Sequence, residues 1–314
     1  MLIHADARSI PLKDESVNCC VTSPPYWGLR DYGTPGQIGL EPTPELYVAT
    51  MVDVFREVRR VLKADGTLWL NLGDSYVSGS GAQVPDSKAT VRRPGNPGKN
   101  GGVSNRYGQG VIGLAPKNLV GIPWRVAFAL QADGWWLRSD IIWAKPNPMP
   151  ESVTDRPTKS HEYLFLLAKS ERYYYDAGAI AERSTHAGKV VTLGEKSLSR
   201  GQAAGANVAA SGNGTASSVV VTETRNSRSV WTIPTTPYPG AHFATFPPEL
   251  ARRCILAGCP PGGIVLDPFV GSGTTVMVAR QLGREGIGVD INPKYLDEQA
   301  EQRIKTDRGF AFPL

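Results

Sequence analysis

Short apolar runs alternate with longer segments of helical periodicity along most of the chain. The apolar runs that predict buried strands span residues 17–22, 67–72, 135–145, 162–168, 263–269 and 286–291. Apolar residues at helical spacing occupy 45–62, 119–133, 247–257, 274–282 and 293–306. Short strands that alternate with amphipathic helices are typical of an α/β fold built on a parallel sheet.

Two long segments interrupt this alternation, 75–118 and 184–230. The first contains 9 glycines in 44 residues and carries a net charge of +5, which equals the formal net charge of the whole chain. The second is rich in Ser, Gly, Ala and Thr and poor in large apolar residues. Loops of this length in a compact domain are usually functional or disordered. The excess of basic residues in the chain thus lies within 75–118. This segment is either a solvated flexible loop or a loop that contacts nucleic acid.

Composition narrows the class of protein. The chain has 314 residues, 41% of them hydrophobic and 20% charged, which allows a packed core and excludes full disorder. No apolar run approaches the roughly 18 residues of a membrane span, and the N-terminus lacks the pattern of a signal peptide, so we expect a cytoplasmic protein. The four cysteines are expected to be buried reduced thiols, and the scattered histidines predict no metal site.

An apolar strand, an acid, a glycine-rich turn and a helix follow one another between Gly263 and Thr275. Glycines let the backbone approach a ligand, and the helix N-terminus offers unpaired N–H donors. Asp290 ends the next strand 23 residues after Asp267, close to the spacing of a ribose-binding acid. The turn lacks the third glycine of a dinucleotide site and the lysine of a P-loop. The turn favours a nucleoside ligand without phosphates, of which S-adenosylmethionine is the first candidate. The alternative is that Asp267 is only a helix-capping carboxylate.

The second candidate motif is Ser23-Pro24-Pro25-Tyr26, which follows the predicted strand 17–22. Ligands of open α/β sheets bind beyond the carboxyl ends of strands, where this tetrapeptide lies. Two prolines stiffen the loop and remove two backbone N–H donors. Ser23 Oγ and the Pro24 carbonyl are therefore candidate acceptors for the two hydrogens of an amino group, and Tyr26 is a candidate stacking partner for a base.

With these two motifs in this order and a long variable region between them, the chain resembles the beta group of DNA amino-methyltransferases. The resemblance implies a Rossmann-like methyltransferase sheet with helices on both faces, in which the catalytic half precedes the cofactor half. Further matches lie at 61–69, 140–148 and 246–250. The implied organisation is a catalytic half (1–74), the basic insertion (75–118), a continuation of the core (119–183), a variable target-recognition region (184–240) and the cofactor half (241–314).

The resemblance also implies S-adenosylmethionine as the cofactor. It places Asp267 near the methionine moiety, Asp290 on the ribose hydroxyls and Asp6 near the adenine, although the family usually has Gly where Ala5 stands. The full expected cofactor set is Asp6, Phe246, Pro247, Asp267, Pro268, Phe269, Gly271, Ser272, Gly273, Thr274 and Asp290.

Ser23, Pro24, Pro25 and Tyr26 are the expected catalytic residues. Adenine-N6 enzymes of this group usually begin the tetrapeptide with Asp or Asn, whereas Ser resembles the cytosine-N4 type. The resemblance therefore implies transfer of a methyl group to N4 of a flipped cytosine. Three alternatives stay open: adenine-N6 methylation, a non-catalytic DNA-binding module on the same fold, and methylation of RNA or of a protein amide nitrogen.

Double-stranded DNA is the implied partner, and a cognate restriction endonuclease is left open. Sequence specificity is expected from 184–240, and phosphate or groove contacts from the basic insertion. The candidate DNA-binding residues are Lys88, Arg92, Arg93, Lys99 and Arg106.

Neutralising Arg92 and Arg93 together tests this assignment. Each lost phosphate contact should reduce the slope of log affinity against log salt concentration by about 0.9. The double Ala variant should therefore bind DNA more weakly and with a flatter salt dependence in a fluorescence-anisotropy titration. An unchanged slope contradicts a phosphate-contacting role.

Overall fold

The computed structural model describes residues 1–77, 113–193, 217–235 and 246–306, and the chain divides into two compact units. The first unit comprises Met1–Tyr174 and Ser229–Leu314, and the second comprises Tyr175–Arg228. The second unit overlaps the predicted target-recognition region.

The first unit contains an eight-stranded mixed sheet. Its strands are β1 (Leu2–His4), β2 (Val17–Thr22), β3 (Leu62–Leu72), β4 (Trp136–Ala144), β5 (His161–Ala168), β10 (Val230–Thr232), β11 (Ile264–Asp267) and β12 (Glu285–Asp290). Their spatial order is β1-β12-β11-β2-β3-β5-β4-β10. β5 runs antiparallel to β3 and β4, and the other neighbouring pairs are parallel. The α/β fold is confirmed, and the sheet is parallel except at β5.

The reversal at β5 follows from its connection to β4. Parallel neighbours need a crossover, usually a helix, whereas antiparallel neighbours need only a loop. Residues 145–160 contain no helix, so β4 and β5 pair antiparallel. The sequence pattern also missed β1 and β10, which are three-residue strands at the sheet edges and too short to show periodicity.

Helices cover both faces of the sheet, as predicted. They are α1 (Pro44–Val61), α2 (Ile122–Ala132), α3 (Pro248–Gly258) and α4 (Thr274–Gln281). Leu68 and Leu70 of β3 point to the face covered by α1, in one cluster with Phe55. Trp69 points the other way, against Gly258 of α3, where the ring leaves no room for a Cβ atom. The alternation along β3 therefore feeds two apolar layers.

The predicted helix 293–306 is divided. It consists of α5 (Pro293–Tyr295), a π-helical turn (Leu296–Ala300) and α6 (Glu301–Thr306). Thr43 caps α1, since its side chain accepts a hydrogen bond from Leu46 N.

The second unit consists of two small antiparallel sheets. β6 (Glu182–Arg183) pairs with β9 (Thr224–Arg225), and β7 (Val190–Leu193) pairs with β8 (Ser217–Val220). Glu182 forms ion pairs with Arg225 at 3.3 Å and with Arg228 at 3.0 Å, which ties the first of these sheets to the chain that leaves it.

The cysteines, the helix lengths and the clusters of metal-ligating residue types can be compared with the expectations from sequence. All four cysteines are free and buried, as predicted. Within the described ranges, no helix is long and apolar enough to cross a membrane, and no cluster of His, Cys, Asp and Glu could hold a metal ion.

The position of the site follows from the strand order. β2 and β11 are parallel neighbours, with Cys19 opposite Val265. From β11 the chain passes through α4 to β12 on one side, and from β2 it passes through α1 to β3 on the other. This is a topological switch point, where a crevice opens beyond the carboxyl ends of the strands.

Candidate active site

A cleft with an open volume of about 860 Å³ lies at this switch point. It brings together the loops that follow β1, β2, β11 and β12. The lining residues are Asp6, Ala7, Ser23, Pro24, Pro25, Tyr26, Leu29, Tyr32, Thr34, Gly36, Gln37, Ile38, Pro268, Phe269, Gly271, Asp290, Ile291, Asn292 and Tyr295. The two sequence motifs, almost 250 residues apart in the chain, therefore share one cavity.

Asp290 lies at the end of β12, where its carboxylate joins the glycine-rich turn. Its Oδ2 accepts a hydrogen bond from Gly271 N at 3.0 Å, and its Oδ1 accepts one from Asn292 N at 2.9 Å. Gly271 has a φ of +46°, which favours glycine. Burial raises the pKa of Asp290, against the lowering effect of these backbone donors. The carboxylate is thus fixed at the cleft wall with lone pairs left for a ligand hydroxyl.

Asp6 also lines the cleft, but its carboxylate is already paired. Arg8 Nη2 lies 2.6 Å from Asp6 Oδ2, and the side-chain hydrogen bond from Arg8 lowers the pKa of Asp6. Arg8 Nη2 also reaches the carbonyl of Gly36 at 3.3 Å. Asp6 therefore anchors the far wall of the cleft through Arg8.

Asp267 lies beneath the floor of the cleft rather than on its surface. It is 2% exposed, and both oxygens are engaged: Oδ1 accepts from Thr22 Oγ1 at 2.7 Å and Phe269 N at 3.1 Å, and Oδ2 accepts from Thr275 Oγ1 at 2.7 Å. Burial raises its pKa to about 6, although these hydrogen bonds oppose the rise. Asp267 holds the turn in place from below.

The remaining residues of the expected cofactor set divide into two groups. Pro268 and Phe269 line the cleft. Ser272 and Thr274 are buried, and their hydroxyls each accept a hydrogen bond from Arg303 Nη1 at 2.8 Å. Gly273 has a φ of +82° and packs on Ala300, so the turn is clamped by the terminal helical segment. Phe246 and Pro247 lie just before α3 and do not line the cleft that the described residues form.

One wall of the cleft is formed by the loop 28–39, which no sequence motif predicted. Gly28 N donates to the Gly39 carbonyl at 2.8 Å, which closes the base of this loop. Within it, Gln37 Oε1 accepts from Tyr32 N at 2.9 Å. Tyr32 packs edge-on against Tyr295, with ring centroids 6.4 Å apart. Closely spaced glycines marked a loop here, but not what the loop covers.

A second missed feature is a partly buried polar network behind Tyr26. The Tyr26 hydroxyl lies 2.7 Å from Glu162 Oε2 and 3.0 Å from Asn71 Oδ1, and it accepts a hydrogen bond from Ser23 Oγ at 3.3 Å. Lys145 pairs with the other oxygen of Glu162 at 2.5 Å. No local motif marked these residues, because Asn71 lies on β3, Glu162 on β5 and Lys145 directly after β4.

The five candidate DNA-binding residues, Lys88, Arg92, Arg93, Lys99 and Arg106, lie outside the described residues and remain predictions. The ends of the basic insertion are described. Tyr76 pairs with Leu119 in an antiparallel bridge. The Asp74 carboxylate accepts hydrogen bonds from Gly121 N and Ile122 N, both at 3.0 Å, at the start of α2. The insertion therefore begins and ends at the carboxyl end of β3, on the same edge of the sheet as the cleft.

The cleft has the chemistry of a site for a cationic nucleoside. Among the described residues that line it there are two carboxylates, four aromatic side chains and no Lys or Arg. A phosphate would meet no cationic side chain there, whereas a sulfonium and a ribose diol would meet carboxylates. These residues fit S-adenosylmethionine, with Asp290 placed to hold the ribose. Fold and cleft together define a Rossmann-like methyltransferase.

The chain belongs to the N6/N4 DNA methylase family, whose model, described as DNA methylase, matches residues 17–302. It is an S-adenosylmethionine-dependent DNA methyltransferase.

Relatives agree with this placement, and solved structures share the fold. The chain is 48% identical to the type II methyltransferase M.Cfr9I of Citrobacter freundii, over 94% of this chain and 85% of that protein. It is also 48% identical to the type II methyltransferase M.SmaI of Serratia marcescens, over 96% and 90%. The solved PvuII cytosine-N4-specific DNA methyltransferase shares the fold with a TM-score of 0.63 at 17% identity, over 99% of this chain and 87% of that one. The Thermus thermophilus protein TTHA0409, solved with S-adenosyl-L-methionine, has a TM-score of 0.57 at 23% identity, over 98% and 95%.

Asp267→Asn should change how stability depends on pH. Because the pKa of Asp267 is raised to about 6 in the folded protein, its contribution to stability is lost as pH rises through that value. Relative to the variant, the wild type should lose about 1 kcal/mol of unfolding free energy between pH 5 and pH 7.5, measured by urea denaturation. The variant should fold, because its amide oxygen can accept from Thr22 and Phe269 while Thr275 turns its hydroxyl to the Val21 carbonyl at 3.2 Å.

Asp65→Asn is the matched control, since Asp65 is exposed. It should follow the wild-type pH profile. If the difference between wild type and Asp267→Asn is the same at both pH values, Asp267 does not titrate in this range.

Proposed function

We propose that the protein methylates the exocyclic N4 of cytosine in double-stranded DNA. The observation that carries this proposal is that Ser23 and Pro24 line the same cleft as Gly271 and Asp290. Acceptors for an amino group thus lie beside the cofactor residues. Ser at position 23, where adenine-N6 enzymes usually have Asp or Asn, favours cytosine.

The reaction needs a more nucleophilic amine. The lone pair of an exocyclic amine is delocalised into its ring. Hydrogen bonds from its two hydrogens to Ser23 Oγ and the Pro24 carbonyl would favour a geometry in which that lone pair leaves conjugation. S-adenosylmethionine, when bound, supplies a methyl group on a cationic sulfur. The amine proton leaves to Ser23, to solvent or to a relay.

The loop holds these acceptors rigidly. Pro24 is buried, and the Tyr47 hydroxyl donates to the Pro25 carbonyl at 2.9 Å. The acceptors are therefore set before substrate binds, which is where most of the catalytic advantage of such hydrogen bonds comes from. A carbon-5 cytosine methyltransferase needs a Cys nucleophile after Pro, and this chain contains no Pro-Cys pair.

The DNA substrate must deliver a flipped base. Extrusion of a paired cytosine costs a few kcal/mol. We assign the phosphate contacts that offset this cost to the basic insertion, whose ends lie on the cleft edge of the sheet. The type II relatives support a role in restriction-modification beside a cognate endonuclease, and the four reduced thiols support a cytoplasmic location.

Mass spectrometry of nucleosides tests this function directly. Unmethylated DNA incubated with the protein and S-adenosylmethionine should yield N4-methylcytosine. Ser23→Ala should lower the rate by about 10²-fold, the effect of removing one positioned hydrogen-bonding group from a polar catalytic site.

Ser16→Ala is the matched control, since the Ser16 hydroxyl donates to the Lys13 carbonyl and does not line the cleft. It should keep the wild-type rate. N6-methyladenine as the product would overturn the assignment of the base, and no methylated base on any DNA would overturn the proposed function.

A further inference from the structure

We infer that Glu162 is a positioning residue that orders the hydrogen-bond chain Glu162–Tyr26–Ser23, so that Ser23 presents lone pairs to the target amine. This inference rests on the proposed function and identifies Glu162 as the residue that orients the Ser23 acceptor. The chain runs from Lys145 Nζ to Glu162 Oε1 (2.5 Å), from Glu162 Oε2 to the Tyr26 hydroxyl (2.7 Å) and from there to Ser23 Oγ (3.3 Å).

Glu162 can only accept hydrogen bonds in this arrangement. Its side chain is 16% exposed and that of Lys145 is 18% exposed. Lys145 Nζ donates to Glu162 Oε1 and the Asn71 amide donates to Glu162 Oε2, so both carboxylate oxygens face donors. Lys145 is held in place from the other side, where its Nζ lies 4.4 Å from the centroid of the Trp143 ring.

Tyr26 therefore has a defined direction. The phenol has one proton, and the charged Glu162 oxygen is its nearest acceptor. The Asn71 amide N–H groups donate to Glu162 Oε2 at 3.2 Å and to the Tyr163 carbonyl at 3.1 Å, so Asn71 does not donate to Tyr26. Burial, and then the charge of Glu162, raise the pKa of Tyr26 well above its usual range, so the phenol keeps its proton.

Ser23 is ordered in turn. Because the Tyr26 hydroxyl donates its hydrogen bond to Glu162, its oxygen is left to accept from Ser23. The hydroxyl hydrogen of Ser23 then points into the protein, and its lone pairs are left for the cleft. An amino group that donates two hydrogens needs an acceptor at this position. If these hydrogen bonds ran in the opposite direction, the hydroxyl hydrogen of Ser23 would face a hydrogen of the target amino group.

Stability alone does not explain the arrangement. A buried ion pair is often no more stabilising than apolar residues of the same volume, because both charges lose their hydration. The ring of Tyr26 also lies against Gly73, where a Cβ atom would overlap it. β5 thus supplies a charge, while β3 and the residue that follows it supply an amide and a missing side chain, around a single phenol.

Three variants separate this role from a structural one. Glu162→Gln keeps the size of the side chain, but its amide NH₂ faces Tyr26 and Asn71, where donors meet donors. We expect kcat on unmethylated phage DNA to fall about 10–100-fold, with KM for DNA and Kd for S-adenosylmethionine within about twofold of wild type. Tyr26→Phe removes the relay, and we expect a smaller loss of roughly 3–10-fold.

The double variant is decisive. If Glu162 acts through Tyr26, then Tyr26→Phe with Glu162→Gln should recover to the level of Tyr26→Phe alone. An unfolded protein would not regain activity through a second substitution. Glu57→Gln, which loses a carboxylate that pairs with Arg60 on α1 and does not line the cleft, is the matched control and should keep the wild-type kcat.

Two results would overturn the inference: Glu162→Gln with wild-type kcat, or a double variant whose loss is the product of the single losses. Both require an active wild type. Wild-type protein that forms no methylated base overturns the proposed function, and this inference with it.

Discussion

One buried carboxylate joins the two halves of the site. Asp267 accepts hydrogen bonds from Thr22 at the end of β2 and from Thr275 in the first turn of α4, both at 2.7 Å. The first contact fixes the strand that leads into Ser23, and the second fixes the helix that follows the glycine-rich turn. A buried ionised carboxylate is costly unless it is fully hydrogen-bonded. Burial of Asp267 raises its pKa. The hydrogen bonds that compensate for this burial also hold the catalytic and cofactor loops at a constant distance.

Further side chains around Asp267 also hold the glycine-rich turn in place. Arg303 reaches from α6 to the Ser272 and Thr274 hydroxyls, and Asp290 holds Gly271. The glycine-rich turn is thus bound from below and from both sides while its open face stays in the cleft. A turn with positive φ angles gains its close approach to a ligand at the expense of stiffness. Here neighbouring side chains supply the stiffness that glycine lacks.

Local chemistry made part of this site predictable from sequence. Each motif is a contiguous segment: one contains the acid and the glycines, and the other is Ser-Pro-Pro-Tyr. Both segments follow apolar strands, so their meeting at one sheet edge follows from parallel pairing. The reversal of β5, the wall formed by loop 28–39 and the pairing of Lys145 with Glu162 could not be predicted in this way. Each depends on which strands become neighbours, and periodicity carries no information about strand order.

Tyr26 shows what this missing information changes. From sequence it was a ring on which a base could stack. In the structure its hydroxyl is committed to Glu162 and its ring lies on Gly73. A side chain fixed at both ends loses little entropy when substrate binds, and it transmits the position of a buried charge to its neighbour Ser23. The motif therefore depends on the sheet around it. Ser23 acts as an acceptor because Glu162, two strands away, orients Tyr26 so that the Ser23 hydroxyl donates its hydrogen to the Tyr26 oxygen.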